Sequence, residues 1–176
     1  MPGPVFRDGE IVELRPVETE DVPFVQRVVT DPRVRKGIAA SEPMNRVQER
    51  EWVESLGDDD GTSLLVCVEG DPVGTIGLKP PNEVWGTAEV GYMIDPAQWG
   101  NGYATDALRE TCGYAFEERR LDKVYATAYA TNPASCRVLE TVGFEREGVL
   151  RDEGFVEGER VDVHRYGLLA DEWLSA

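Results

Sequence analysis

The chain has 176 residues, 41% of them hydrophobic, and a formal charge of -16 from 34 Asp and Glu against 18 Lys and Arg. That length suits one domain, residues 1–176, with enough apolar material for a full core. A surface this acidic repels phosphate backbones and anionic lipids, so neither nucleic acid nor a membrane is an expected partner.

No stretch of the chain is apolar enough to span a bilayer, and the opening Met1-Pro2-Gly3-Pro4-Val5-Phe6-Arg7-Asp8 has no apolar leader, so the expected location is cytoplasmic. Cys67, Cys112 and Cys136 are far apart and form no CxxC pair, and His164 is the single histidine. Zinc ribbons, thioredoxin-type sites and HExxH chemistry are therefore excluded, and no metal is expected. Only Lys36, Lys79 and Lys123 are lysines. Few lysines with many carboxylates suit a salt-rich cytosol, where counter-ions screen self-repulsion.

From Glu10 to Val17, Val12 and Leu14 alternate with Glu13 and Arg15, which predicts a first strand. Thr19 is placed to cap a helix running to about Thr30. A second helix is expected over Asn45–Leu56, with Val47, Trp52, Val53 and Leu56 on one side. Asp58-Asp59-Asp60-Gly61 reads as a solvated acidic turn. Ser63–Val68 and Val73–Leu78 form a hairpin around Glu69-Gly70-Asp71-Pro72, and Thr87–Ile94 is a further strand. A long helix follows to about Arg120, with Ala104, Leu108, Cys112 and Ala115 inward. Lys123–Ala130 reads as a strand, and Asn132–Val142 as a helix ended by Gly143. Phe144–Leu150 and Val161–Leu169 close the chain as an antiparallel pair. The order β-α-α-β-β-β-α-β-α-β-β is an α+β fold: a mixed, mostly antiparallel central sheet flanked by helices.

Two segments carry chemistry. In Asp95-Pro96-Ala97-Gln98-Trp99-Gly100-Asn101-Gly102-Tyr103-Ala104-Thr105-Asp106-Ala107 a strand ends, a glycine loop follows and a helix begins. Free backbone N–H groups and the positive helix end suit an anion such as a pyrophosphate. The pattern is neither GxGxxG, whose third glycine would fall at Thr105, nor a P-loop. In Asn132-Pro133-Ala134-Ser135-Cys136-Arg137, Asn132 caps the next helix or reaches a ligand from the strand end. Cys136 has no evident histidine partner and reads as a buried thiol.

With Ala88-Glu89-Val90-Gly91-Tyr92-Met93-Ile94 before them and Gly143-Phe144-Glu145-Arg146-Glu147-Gly148 after them, these segments make nearly the whole chain resemble a GCN5-related N-acetyltransferase (GNAT). It is most similar to the RimJ/RimL type, which acetylates ribosomal-protein N-termini. The resemblance implies acetyl-CoA as co-substrate and an amine as acceptor, in a monomer or homodimer. It places the pyrophosphate on Trp99, Gly100, Asn101, Gly102, Tyr103 and Ala104, and the pantetheine arm along Met93, Ile94 and Asp95 and against Asn132. Arg137, one turn into the site helix, would meet a phosphate.

Two positions depart from the family pattern. Trp99 stands where the pyrophosphate motif has Arg or Gln. Leu139 stands where many relatives carry the Tyr that protonates the leaving thiolate. Ser135 fits the RimJ/RimL alternative for that role, and Glu89 matches the carboxylate that takes the amine proton through water. Tyr92 would line the substrate side of the same cleft. The expected reaction is direct acetyl transfer in a ternary complex. A small-amine acceptor, such as a polyamine or an aminoglycoside-like compound, and a non-catalytic acyl-CoA binder stay open.

Overall fold

The opening alternation forms two short strands, β1 (Arg7–Asp8) and β2 (Glu13–Pro16), in the computed structural model, which describes residues 2–176. Val12 and Leu14 point inward and are buried, as a period of two requires. A 3-10 turn, Thr19–Asp21, leads into α1 (Val22–Thr30). Thr19 does not cap it. Its hydroxyl turns to Glu20, while the buried Asp21 carboxylate accepts the Glu18 N–H at 2.9 Å.

The sequence pattern missed α2 (Pro32–Arg35), a single turn started by Asp31, whose carboxylate accepts the Arg33 N–H at 2.8 Å. α3 (Arg46–Glu54) starts at Asn45, which accepts the N–H groups of Val47 and Gln48. Its inward residues are Glu49 and Val53, four apart, whereas Val47 is 63% exposed. The apolar count misplaced Val47 because a carboxylate occupies the core-facing position that a hydrophobic residue would normally mark.

The remaining elements are β3 (Thr62–Val68), β4 (Asp71–Leu78), β5 (Thr87–Ile94), α4 (Tyr103–Gly113), β6 (Lys123–Tyr129), α5 (Pro133–Val142), β7 (Glu145–Val156), β8 (Glu159–Leu169) and α6 (Ala170–Leu174). α4 runs on into a wider π turn to Glu118, so the long helix expected from the sequence is present with a loosened end. The strands form one eight-stranded sheet in the order β1-β2-β3-β4-β5-β6-β8-β7.

Leu64, Val66, Ile76, Leu78 and Val90 pack on one face of the sheet with Leu108 and Cys112 of α4. α1 and α3 pack together on the other side, with Val25, Val28 and Val53 buried there.

One feature of this sheet positions the site. Every pairing is antiparallel except β5 with β6. That parallel pair is held only across Thr87–Glu89 and Lys123–Tyr125. Past Glu89 the strands splay. Val90–Ile94 keep β4 on one side, and the edge toward β6 is left without a strand partner.

Candidate active site

The splay opens into a cleft of about 550 Å³ between the end of β5, the start of α4 and the start of α5. Its floor is the loop before α4. Gly100 and Gly102 have φ of +82° and +80°, a left-handed conformation that a side chain at either position would strain. Gly102 is the N-cap of α4 and has no side chain to cap it. The first backbone bond into the helix runs from the Asp106 N–H to the Gly102 carbonyl at 3.1 Å. The N–H groups of Tyr103, Ala104 and Thr105 therefore have no intrahelical acceptor and stand at the positive end of the helix.

Three side chains hold this loop in place. The Trp99 indole N–H donates to the Ile94 carbonyl at 2.8 Å, tying the loop to the end of β5. Trp99 thus positions the loop from the place where the motif would have Arg or Gln. Asp95 is buried and faces away from the cleft. Its carboxylate accepts the Ala97 N–H at 3.0 Å and pairs with Arg27 of α1 at 2.7 Å, so Asp95 shapes the turn and does not line the cleft. The turn's N–H and the Arg27 guanidinium outweigh the cost of burial and hold its carboxyl below the usual carboxylate range.

The third anchor is one the sequence pattern did not reveal. Asp106, in the first turn of α4, is 3% exposed. Its carboxylate accepts the N–H groups of Ile11 at 2.8 Å, Val12 at 2.9 Å and Glu10 at 3.3 Å. The β1–β2 turn is thereby fixed to the helix that carries the loop. Gly9 belongs to the same turn, and a Cβ there would lie 2.6 Å from Asp106 Oδ2. An Asp four residues past the last glycine of a loop reads as an ordinary first-turn acid, so only the fold shows which amides it serves.

The far wall is the start of α5. Asn132 caps it as expected, accepting the Ser135 N–H at 3.2 Å. Ser135 Oγ lies 3.0 Å from the Tyr92 hydroxyl, which is also 3.3 Å from the Ser135 carbonyl. Burial pushes the Tyr92 hydroxyl up to about 12, against the opposing pull of its hydrogen bond to Ser135. Leu139 is buried in the core and presents no polar group. Arg33, Lys36 and Arg137 line the cleft, and no Asp or Glu does, in a chain whose net charge is -16. Arg33 pairs with Asp31 at 2.8 Å and Lys36 with Glu157 at 2.9 Å, so Arg137 and the unpaired helix amides are the groups in this acid-free lining that suit a polyphosphate.

The cleft thus brings together Tyr92, Met93, Ile94, Trp99, Gly100, Asn101, Gly102, Tyr103, Ala104, Asn132, Ser135 and Arg137. Asp95 and Glu89 stand outside it. Glu89 is on β5 where the splay begins, and its carboxylate pairs with Lys79 at 2.5 Å. The expectation for Cys136 changes as well, because the thiol is half-buried. His164 Nδ1 lies 3.9 Å from Cys136 Sγ, so the thiol does have a histidine neighbour across α5 and β8, although neither residue lines the cleft.

A second crevice of about 520 Å³ lies over β4 and β5 beside α3. Trp52, Leu56 and Pro80 give it apolar walls, and Ser63 and Thr75 add hydroxyls. Among the described residues, Asp59 is its only carboxylate and Lys79 its only cation. Asp59 comes from the acidic turn, where it accepts the Gly61 N–H at 2.8 Å. Cleft and crevice share Ile38, Tyr92 and Met93. A donor in the first and an acceptor in the second would meet at the middle of β5.

Comparison with known proteins identifies the family. The family model described as an acetyltransferase (GNAT) domain matches residues 12–145. A Bacillus subtilis protein named "Putative ribosomal N-acetyltransferase YdaF" is 31% identical over 173 residues, covering 94% of each chain. The spermidine N(1)-acetyltransferase of Escherichia coli strain K12 is 26% identical over 166 residues, covering 93% of this chain and 89% of that one. The crystal structure of a GNAT-family acetyltransferase from Bacillus anthracis superposes with a TM-score of 0.83 at 27% identity, covering 94% of this chain and 99% of that one.

Proposed function

Because the chain belongs to the GNAT family of acetyl-transferring enzymes, matched over residues 12–145, we propose that it transfers acetyl from acetyl-CoA to the α-amine of a protein N-terminus. The observation that carries this reading is the meeting of an acid-free, cationic cleft with a nearly uncharged crevice at Tyr92 and Met93.

The donor brings an activated thioester. The unpaired N–H groups of Tyr103, Ala104 and Thr105 hold its pyrophosphate, and Arg137 adds charge from α5. The open edge of β5 presents the main-chain groups of Tyr92 and the Ile94 N–H to the pantetheine amides, with Asn132 opposite, whereas Met93 pairs with Thr75 of β4. Ser135 faces the leaving sulfur and donates a hydrogen bond to it.

The acceptor must attack as a neutral amine. An α-amine loses its proton at a pKa of about 7.7–8.0, so a modest base serves. Glu89 shares a face of β5 with Gly91 and Met93, both in the crevice wall, and takes the proton through water. Glu89→Gln then lowers kcat/KM most at about pH 6–7 and progressively less above about pH 8, where the amine is already neutral. An equal loss at all pH values would remove Glu89 from that role.

The crevice supports a peptide over a polyamine. A polyamine carries two or more ammonium groups and needs as many carboxylates, whereas Asp59 is the one carboxylate that lines the crevice and Glu89, beside it on the same face of β5, is already paired with Lys79. A peptide N-terminus brings one ammonium and several carbonyls, which Lys79 can bind. The similarity to the protein named as a ribosomal N-acetyltransferase leans the same way. The test is CoA thiol release with three acceptor pools: peptides beginning Ser, Ala or Met, polyamines, and aminoglycosides. Turnover on the peptides is expected. Turnover on spermidine alone would move the enzyme to small-amine metabolism, and acetyl-CoA binding without turnover in any pool would make it an acyl-CoA binder.

A further inference from the structure

We propose that Tyr92 is the positioning residue of the leaving-group site: its hydroxyl donates to Ser135 Oγ and so turns the Ser135 proton toward the departing sulfur. The inference rests on the Ser135 assignment above and extends it to a residue expected only to line the substrate side.

Geometry carries it. The two hydroxyls are 3.0 Å apart, closer than the 3.3 Å from the Tyr92 hydroxyl to the Ser135 carbonyl, the other acceptor in reach of its one proton, and Tyr92 is one of three residues that line both the cleft and the crevice. The pair therefore stands where donor and acceptor meet. A serine hydroxyl has one proton and rotates freely, so alone it donates to the sulfur only part of the time. A second hydroxyl that donates to Ser135 Oγ occupies a lone pair and leaves the serine proton for the sulfur. Tyr92 keeps its own proton throughout the working range because burial favours the neutral form, so it acts as a donor and not as an acid. The position from which relatives supply a tyrosine acid is Leu139, which is fully packed in the core. The aromatic hydroxyl reaches this end of the site from β5 instead.

The chemistry balances. Transfer forms the amide C–N bond and breaks the thioester C–S bond. The sulfur leaves with the C–S electron pair, the amine gives up one proton, and the sulfur ends as the CoA thiol after taking one. The Tyr92–Ser135 pair stabilises the sulfur while it is negative, and it consumes nothing.

The test needs no acceptor. The thiol pKa of CoA bound to the enzyme is read from thiolate absorbance, with a titration of enzyme alone subtracted for the three cysteines. Bound to the wild type, the thiol titrates about one unit below free CoA, a tenfold rise in thiolate fraction at a given pH. Ser135→Ala returns it to the free value, and Tyr92→Phe loses at least half of the shift while CoA affinity stays within about threefold. Site-specific 3-fluorotyrosine at position 92, a stronger donor of nearly the same shape, lowers the thiol pKa further and guards against a packing effect of the Phe variant. A Tyr92→Phe complex with the wild-type thiol pKa, beside a Ser135→Ala complex that has lost the shift, overturns this inference alone. Wild-type values in both variants overturn the Ser135 assignment as well.

Discussion

Asp106→Ala is the perturbation whose size can be worked most fully from the structure. The carboxylate is 3% exposed and accepts three backbone N–H groups, two of them at 2.8 and 2.9 Å and one at 3.3 Å. A hydrogen bond to a charged acceptor contributes about 1.5–3 kcal/mol, so the two short bonds set a range of about 3–6 kcal/mol. The long one adds little. An acid in the first turn adds about 0.3–1 kcal/mol through the helix dipole. Against this, the alanine variant no longer desolvates a carboxylate, which trims the total. The expected loss is about 3–5 kcal/mol, partly because the Val12 N–H is left buried without an acceptor. At about 2–4 °C per kcal/mol for a chain of this size, Tm falls by roughly 10–15 °C. Asp106→Asn keeps one oxygen, able to serve the two short bonds, and loses only about 1–2 kcal/mol. Urea unfolding of both variants and the wild type in one buffer measures these values. An Asp106→Ala loss below about 1 kcal/mol would refute the reasoning, because it would mean that the turn is held by its strand pairing and not by the carboxylate.

Further expectations concern charge. Glu49 is 2% exposed and its Oε1 has no hydrogen-bond partner among the described residues, so burial raises its pKa. A raised folded-state pKa means that ionisation costs stability as pH climbs past the unfolded value. Glu49→Met should therefore stabilise the fold by about 1–3 kcal/mol near pH 7, with the gain shrinking toward about pH 4, where the wild-type carboxyl is protonated in both states. A gain that does not depend on pH would assign it to packing. Lys79→Glu removes the one cation of the crevice and should raise kcat/KM for spermidine about tenfold while lowering it for peptides. Unchanged preference would show that the acceptor does not pass Lys79. With a net charge of -16, the chain should unfold at higher urea concentration in molar KCl than at low salt, and identical curves would exclude self-repulsion as a factor in its stability.

Much of the scaffold was legible because it obeys local rules. The strand over Thr87–Ile94 was found to the residue, since Thr87 opens the alternation and Asp95-Pro96 ends it. Asn132 was readable as a cap because its side chain serves the next turn of its own helix. The losses share another cause. α2 is four residues long, too short for a periodic signal. Glu49 and Asp106 look like surface acids by type and spacing, and only packing shows that both are buried. The Tyr92–Ser135 and Lys79–Glu89 pairs join different elements, so no spacing along the chain encodes them. The glycine loop was recognisable as an anion site, yet the role of Trp99 as its tie to β5 depends on a hydrogen bond that spans the turn.

The measurement that tests the two-chamber reading most directly is amide hydrogen exchange in three states: free enzyme, enzyme with CoA, and enzyme with CoA and an acceptor peptide. CoA should slow exchange across residues 93–105 and 131–138, and the peptide should add protection over 52–63 and 75–80. Protection by CoA over the crevice, or none in the loop from Gly100 to Thr105, would contradict the placement of donor and acceptor on either side of Tyr92 and Met93.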